Sequence, residues 1–378
     1  MLLYISGSFP DNQEGIAEGA KVLLDAMLEI VEKDKIVLLT TNTPIISEHI
    51  KQNISVNYRM MDNWKVTTGN IKKFYSILDE YDITAIHMEY PGDLYGKTFL
   101  ASFLPWFIKH YNLKRNKKIT FNVRLHEFTR ARFLRKAAIV PILLFADSIY
   151  IPALRDRNAA SKIGGKRVRP TTIGTNINTV SDELLPGKKK RISYFGSVYP
   201  GKGIERMLKL WRIISIEDTE KEYEFKIIGD LGTERDNHFA EYHKQVWRFI
   251  EQYGLTDKIT VTGYISNEDV SKAIQETAVA TLPYEDGLTL RRGSFLAYLA
   301  HGIPVVTSEG DSEAQELFRE HKGVSMTKSD DEFVKSILRF ANLSEEERRY
   351  IYDDNKRLSD NFRWDRIAER FLKDYEII

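Results

Sequence analysis

Short apolar runs alternate with amphipathic stretches along almost the whole chain, and this alternation restricts the fold more than any other feature. Leu2–Ser6, Lys35–Thr40, Thr84–Met88, Ile119–Val123 and Ser148–Ile151 read as strands in the first half. Between the first two, Gly15–Asp34 carries Ile16, Ala20, Leu23, Met27 and Ile30 at helical spacing. After residue 190 the pattern restarts with Ile192–Phe195, Glu224–Ile228, Ile259–Thr262, Val279–Leu282 and Pro304–Thr307. Such an order predicts an α/β chain whose parallel sheets are wrapped by helices. At 378 residues the chain exceeds what one core usually holds, so one sheet per half is expected. The halves meet at Gly187-Lys188-Lys189-Lys190, after Thr175–Pro186, a stretch without periodicity. The first domain is therefore expected over 1–174, followed by a linker over 175–190. Ligands of doubly wound sheets bind at the carboxyl ends of the strands, so two such domains face to face would enclose a site in the cleft between them.

Charge selects no partner, because 55 Lys and Arg nearly cancel 54 Asp and Glu. A nucleic-acid role is not expected, since neither a basic excess nor a matching motif is present. The chain has no cysteine, which excludes disulfides, zinc-thiolate sites and thiol nucleophiles. Its first residues, MLLYISGSFPDNQEG, lack a signal-peptide pattern and read as a strand opening a domain. The longest apolar run, Ala137–Ala146, is broken by Pro141 and is too short to span a bilayer. A soluble, cytoplasmic protein is expected, with room for contact at the inner face of the cytoplasmic membrane.

Three strands of the second half end in glycine. Ser193–Gly203 reads SYFGSVYPGKG, Lys226–Asp230 reads KIIGD, and Val261–Ser266 reads VTGYIS. Glycine lets a backbone approach a phosphate, a helix start offers free N–H groups, and Lys202 adds a positive charge. Each alone could be an ordinary strand-to-helix loop; together they converge on PYEDGLTLRRGSFLAYLAHGIPVVTSEG, residues 283–310. In the first half, Phe9–Ile16 is either a plain strand-to-helix turn or a ligand loop, with Gly15 its glycine. Thr120–Glu127 ends a strand with His126 followed by Glu127, where an imidazole could donate to a sugar hydroxyl or phosphate and an acid could orient it. A lone histidine can equally be a satisfied structural residue. Arg124, Arg130, Arg132, Arg135 and Lys136, interleaved with Phe128, Phe133 and Leu134, form a basic amphipathic segment. It suits anionic headgroups or a lipid diphosphate, or simply a solvated face. Lys109–Lys118 is a second basic stretch.

The blocks FGSVYPGKG, FKIIGD, ITVTGYISNEDV, VATLPYEDG and LAHGIPVVTS, with Asn361–Phe371 at the end, resemble glycosyltransferases of the GT-B fold. The likeness is to the retaining group 1, or family 4, enzymes that build bacterial surface polysaccharides. It implies two Rossmann-like doubly wound domains facing across a cleft, the second over 191–355. A C-terminal helix, over 356–378, would cross back to the first domain. It further implies that Lys202 contacts the donor diphosphate and takes part in catalysis, next to the Gly196, Ser197 and Gly229 turns. Tyr264 and Ile265 would present backbone to the base. Glu285, Asp286, Gly287, Leu288 and Thr289 would surround the donor sugar, while N–H groups near Leu290–Arg292 would meet phosphate. Gly15 would line the donor side of the first domain. His126, with Glu127, would lie beside the reacting sugar, and Glu89 and Tyr90 on the acceptor side.

This chain departs from the pattern at three positions. Ser197 stands where the family commonly has arginine, and Thr289 and Ala297 stand where it has two glutamates. Arg291, Arg292 and Ser294 are the candidate substitutes, because arginine forks suit phosphate oxygens and a serine can bond a ribose hydroxyl. The expected reaction moves a sugar from a nucleotide-sugar, a UDP-sugar foremost, to a hydroxyl of a glycan or lipid-linked glycan, with no metal and no cofactor. A nucleotide-sugar epimerase of the same fold and a non-catalytic nucleotide-sugar-binding subunit are the competing readings.

Overall fold

The computed structural model describes residues 1–7, 15–44, 46, 48, 56–91, 95–96, 98–181, 190–220, 222–231 and 239–378, with α1 side chains from residue 17 onward. The expected loop before Gly15 and half of the expected linker, 182–189, lie outside the described residues. The chain divides into two compact units, Met1–Gly174 with Arg363–Ile378, and Thr175–Phe362.

Unit 1 alternates β1 (Leu2–Ser6), α1 (Gly15–Ile30), β2 (Ile36–Thr41), β3 (Asn57–Met61), α2 (Thr68–Glu80), β4 (Ala85–Tyr90), α3 (Leu100–Arg115), β5 (Thr120–Leu125), α4 (Phe133–Phe145), β6 (Ser148–Ile151), α5 (Leu154–Gly164) and β7 (Val168–Pro170). Its seven strands are parallel in the order β3-β2-β1-β4-β5-β6-β7. Successive strand residues face opposite sides. Leu3, Ile5, Ile86, Met88, Phe121 and Val123 join one core with the buried faces of α2, α3 and α4. Leu2, Tyr4, Ile36, Leu38 and Tyr150 join the other core with Leu23, Leu24 and Met27 of α1.

Unit 2 runs β8 (Lys190–Phe195), α6 (Ile204–Glu217), β9 (Tyr223–Ile228), α7 (Ala240–Gln252), β10 (Ile259–Val261), α8 (Asn267–Gln275), β11 (Val279–Leu282), α9 (Gly293–Ala300), β12 (Val305–Ser308), α10 (Ser312–Phe318), β13 (Val324–Thr327), α11 (Asp330–Ala341) and α12 (Glu345–Ser359). Its parallel sheet has the order β10-β9-β8-β11-β12-β13. Both orders are doubly wound. They reverse direction between β1 and β4 in unit 1 and between β8 and β11 in unit 2, the places where such sheets hold ligands.

The last helix, α13 (Trp364–Asp374), belongs to unit 1. It buries Trp364, Ile367, Ala368, Phe371 and Leu372, one apolar stripe at helical spacing, against α1 and the β1 face of the sheet. The fit is close: a Cβ on Gly174 would come within 2.6 Å of the Trp364 ring.

The expected strands are present within two residues of their boundaries, the edge strand β10 among them. The unexpected ones, β3, β7 and β13, are all sheet edges. An edge strand is covered on fewer sides and needs fewer apolar residues, so its sequence carries a weaker pattern. β3, for example, has only Met61 buried.

Candidate functional site

In unit 2, backbone approach does the positioning. The turn after β8 contains Gly196, Gly201 and Gly203, with φ of 138°, 90° and 76°. A Cβ on Gly203 would lie 1.9 Å from the Pro283 carbonyl oxygen, so this turn presses on the loop after β11. A Cβ on Gly229 would lie 2.5 Å from the Gly196 carbonyl oxygen, and the Gly229 N–H donates to Thr262 Oγ1 at 3.1 Å. The ends of β8, β9 and β10 are thereby locked together, and the β8 turn meets the β11 loop at the switch point. Lys202 sits one residue before the N-cap of α6, its Nζ 4.7 Å from the Tyr199 ring centre. His243 of α7 supports the turn from below, its Nε2 2.9 Å from the Val198 carbonyl oxygen. Ser197 gives its carbonyl to the Tyr194 hydroxyl at 3.1 Å. Beyond β10, Tyr264 is 54% exposed and Ile265 half-buried.

The loop after β11 turns at Gly287, φ 79°, where a Cβ would lie 2.3 Å from the Glu309 carbonyl oxygen. Glu285 and Asp286 are exposed, whereas Leu288 is buried. The two arginines stand before the helix and not within it. α9 starts at Gly293 and Arg292 is its N-cap residue. The Arg292 guanidinium pairs with Asp286 and lies 4.3 Å over the Tyr284 ring centre. A cation at a helix N-terminus is disfavoured by the helix dipole, and Asp286 supplies the anion that compensates it. Ser294 is also engaged, its Oγ 2.8 Å from the Tyr284 hydroxyl, whose pKa burial pushes up to about 12. Ala297, where the family has its second glutamate, is fully buried inside α9. Thr289 Oγ1 and Arg292 Nε are buried without a hydrogen-bond partner among the described residues.

A cavity of about 590 Å³ opens beside this loop, at the carboxyl ends of β11, β12 and β13. Glu285, Asp286, Glu309 and Asp311 line it together with Arg206 and Lys328, but Lys202, Gly196 and Tyr264 do not. Its cations are matched internally, Arg206 with Asp330 at 2.7 Å and Lys328 with Glu309 at 3.1 Å. Among the described residues no group of three His, Asp or Glu is placed to hold a metal ion.

Unit 1 builds its strand ends from buried charge instead. Strand register sets His87 beside Tyr4 and Asn122, and Glu89 beside Ser6 and Arg124. These residues share the sheet face covered by α1 and α13. The Glu89 side chain is wholly buried. Its Oε1 accepts from His87 Nε2 at 2.9 Å and Arg124 Nη1 at 3.2 Å, and its Oε2 faces His126 Nε2 at 2.5 Å. Burial would raise the Glu89 carboxyl, but Arg124 and the two imidazole donors hold it well below the usual carboxylate range. Burial lowers the His87 pKa against the pull of Glu89, so His87 is neutral. Its Nε2 carries the proton given to Glu89, and its Nδ1 accepts from the Tyr375 hydroxyl at 2.7 Å.

This geometry corrects three expectations. The carboxylate on His126 is Glu89, from the neighbouring strand, rather than Glu127. Glu89 and Tyr90 do not present acceptor-facing side chains: Glu89 is enclosed, and the buried Tyr90 hydroxyl pairs with Ser102 at 2.9 Å. Arg124 leaves the proposed basic surface, because it is 1% exposed, lies 5.2 Å from the Trp364 ring centre and is paired with Glu89. Gly15 begins α1. In the second basic stretch, Lys109, Arg115 and Lys117 pair with Asp147, Asp79 and Asp82 at the surface. The buried network did leave a sequence signal. Parallel strands covered on both faces usually read as continuous apolar runs, yet AIHMEY and TFNVRL alternate.

Two doubly wound parallel units, the first completed by the last helix, are the architecture of GT-B glycosyltransferases. Three solved structures share the fold. The glycosyltransferase from Rickettsia africae ESF-5 has a TM-score of 0.73 at 13% identity, over 99% of this chain and 97% of its own. HepE from Anabaena, in complex with UDP, has a TM-score of 0.74 at 13% identity over 100% of both chains. Sucrose-phosphate synthase from Thermosynechococcus elongatus has a TM-score of 0.69 at 15% identity, over 99% and 98%. No curated protein matches the chain in sequence. Residues 177–357, nearly all of unit 2, match the model of the family described as glycosyl transferases group 1.

Proposed function

We propose that the protein transfers a sugar from a nucleotide-sugar to a hydroxyl of a glycan or lipid-linked glycan acceptor in surface polysaccharide or glycoconjugate synthesis. The observation that carries this reading is the backbone lock among Gly196, Gly203, Gly229 and Pro283 at the switch point of a group 1 domain. Such close approach leaves N–H groups, rather than side chains, to meet a diphosphate. Lys202 and the first turns of α6 and α9 would stabilise the charge that develops on the leaving diphosphate, the kind of electrostatic contribution that often dominates transfer reactions. No divalent ion is assigned a role in this scheme. HepE was solved with UDP, which makes a UDP-sugar the first donor to test. Retention of the anomeric configuration is the expected outcome. Arg292, being paired with Asp286, would contact a donor phosphate only by exchanging one anion for the other.

A lipid-linked acceptor is favoured by the start of α4. Phe133 and Leu134 are 83% and 75% exposed, beside the exposed Arg132 and the half-buried Arg135 and Lys136. Apolar side chains flanked by cations suit an anionic membrane surface.

The test is titration with a panel of nucleotides and nucleotide-sugars, followed by product analysis with glycan acceptors. A UDP-sugar should bind and yield a glycoside, with Lys202→Ala weakening binding. A changed nucleotide-sugar released without acceptor would identify an epimerase instead. Binding without transfer or hydrolysis across the panel would identify a non-catalytic subunit. In sedimentation, anionic but not zwitterionic vesicles should carry the protein down, and Phe133→Ala with Leu134→Ala should abolish this.

A further inference from the structure

Glu89 is the most deeply enclosed charge near the strand ends of unit 1, and the transfer scheme above gives it no task. Its surroundings are unusual in being all donors. Two of them, His87 Nε2–H and Arg124 Nη1–H, converge on Oε1, and His126 Nε2–H meets Oε2. The neighbouring Tyr4 hydroxyl spends its proton on the Ala20 carbonyl at 2.7 Å. A carboxylate can only accept, so whether His126 is neutral or charged its Nε2 must carry a proton. Nδ1 is then the ring nitrogen left for a substrate.

The same cluster is tied to the C-terminal segment at two points. Tyr375 donates to His87 Nδ1, and the Trp364 ring lies against the Arg124 guanidinium. His87 is further fixed by stacking on Tyr4, with ring centres 4.9 Å apart. Each contact holds a partner of Glu89 rather than His126 itself.

We propose that Glu89 is a positioning residue that sets the ring orientation and proton location of His126. Through Tyr375–His87, the C-terminal segment keeps Glu89 in register. The inference rests on His126 being the imidazole that meets substrate, and the measurement below separates the two claims. Glu89→Gln tests it sharply. A glutamine has one acceptor oxygen, which His87 and Arg124 both require, so its NH2 must face His126 Nε2. The His126 proton should then move from Nε2 to Nδ1.

Imidazole nitrogen shifts of the full chain labelled with 15N-histidine read this directly. Wild type should show His126 protonated on Nε2, and Glu89→Gln should show Nδ1–H, with kcat falling about 10- to 100-fold and the donor KM little changed. Tyr375→Phe should keep Nε2–H and lose roughly two- to fivefold in kcat, a smaller effect because it acts one hydrogen bond further out. Wild-type His126 protonated on Nδ1 alone would overturn the proposal even if the glutamine variant failed to fold. An unchanged His126 tautomer in Glu89→Gln would do the same, and an unaltered kcat in Tyr375→Phe would remove the C-terminal segment from it. Full transfer by His126→Ala would refute the substrate-facing reading of His126, while the control of its tautomer by Glu89 would still stand on the nitrogen shifts.

Discussion

The two units share a strand order yet finish their strands by opposite means. Unit 2 brings the backbones after β8, β9, β11 and β12 into close contact by leaving out side chains at Gly203, Gly229 and Gly287. Unit 1 instead places the side chains of His87, Glu89, Arg124 and His126 together toward the ends of β4 and β5. A backbone site keeps its polar groups near solvent, and its side-chain charges can be changed without leaving an orphan. A buried charge cluster has given up hydration, so its parts are stable only together. The first kind tolerates charge loss but no added volume; the second tolerates neither.

That contrast can be broken by mutation. The largest effect should come from Glu89→Ala, which strands Arg124 and should lower the stability of unit 1 by about 3–5 kcal/mol in urea unfolding. Next is Gly203→Ala, where φ of 76° and a clash with the Pro283 carbonyl add up to about 3 kcal/mol. An undiminished unfolding midpoint for that variant would mean that the turn moves freely.

Acid should act on unit 2 through His301, held between Ser271 and the Ala297 carbonyl, each at 2.7 Å. Burial lowers its pKa to about 4 from the ordinary 6.5. The folded form therefore resists a proton that the unfolded chain takes up, and stability is complete above pH 6.5 and declines as pH falls toward 4. The loss should reach about 2–3 kcal/mol at the lower limit, and His301→Gln should flatten the profile. His87 has the same sign in unit 1. Glu89, with its depressed pKa, adds a loss that begins only below the unfolded glutamate range.

Smallest in stability is Lys202→Ala, expected to shift unfolding by no more than about 0.5 kcal/mol. Nucleotide affinity should nevertheless fall about tenfold, the worth of one charge-assisted contact. Equal losses in stability for Lys202→Ala and Glu89→Ala would erase the distinction between the units.

How much of this is legible in the sequence follows the same division. Glycine is punctuation that periodicity cannot hide, so the turns after β8, β9 and β10 stand out with their residues. The interior strands stand out because two-sided burial demands apolar runs, and three of the four edge strands, β3, β7 and β13, escape because it does not apply to them, while the edge strand β10 is marked by the glycine that follows it. The role of Glu89 is not legible, since it depends on a strand neighbour 35 residues away, whereas Glu127 is adjacent in sequence and looks like the partner. The alternation in AIHMEY and TFNVRL is the available clue. Arg292 misleads for a local reason: its N-cap conformation turns it toward Asp286, which a helix started one turn earlier would not allow.

The return of α13 to unit 1 has a consequence for how the protein is made. Tyr375 meets His87 across 288 positions of chain, while Thr175–Phe362 is continuous. On a ribosome the second unit can condense as soon as it emerges, but the first must wait with its α1 face uncovered until α13 has followed it. Unit 1, although first in sequence, is the last to be completed, and a chain released early would lack the clasp on its own buried charge.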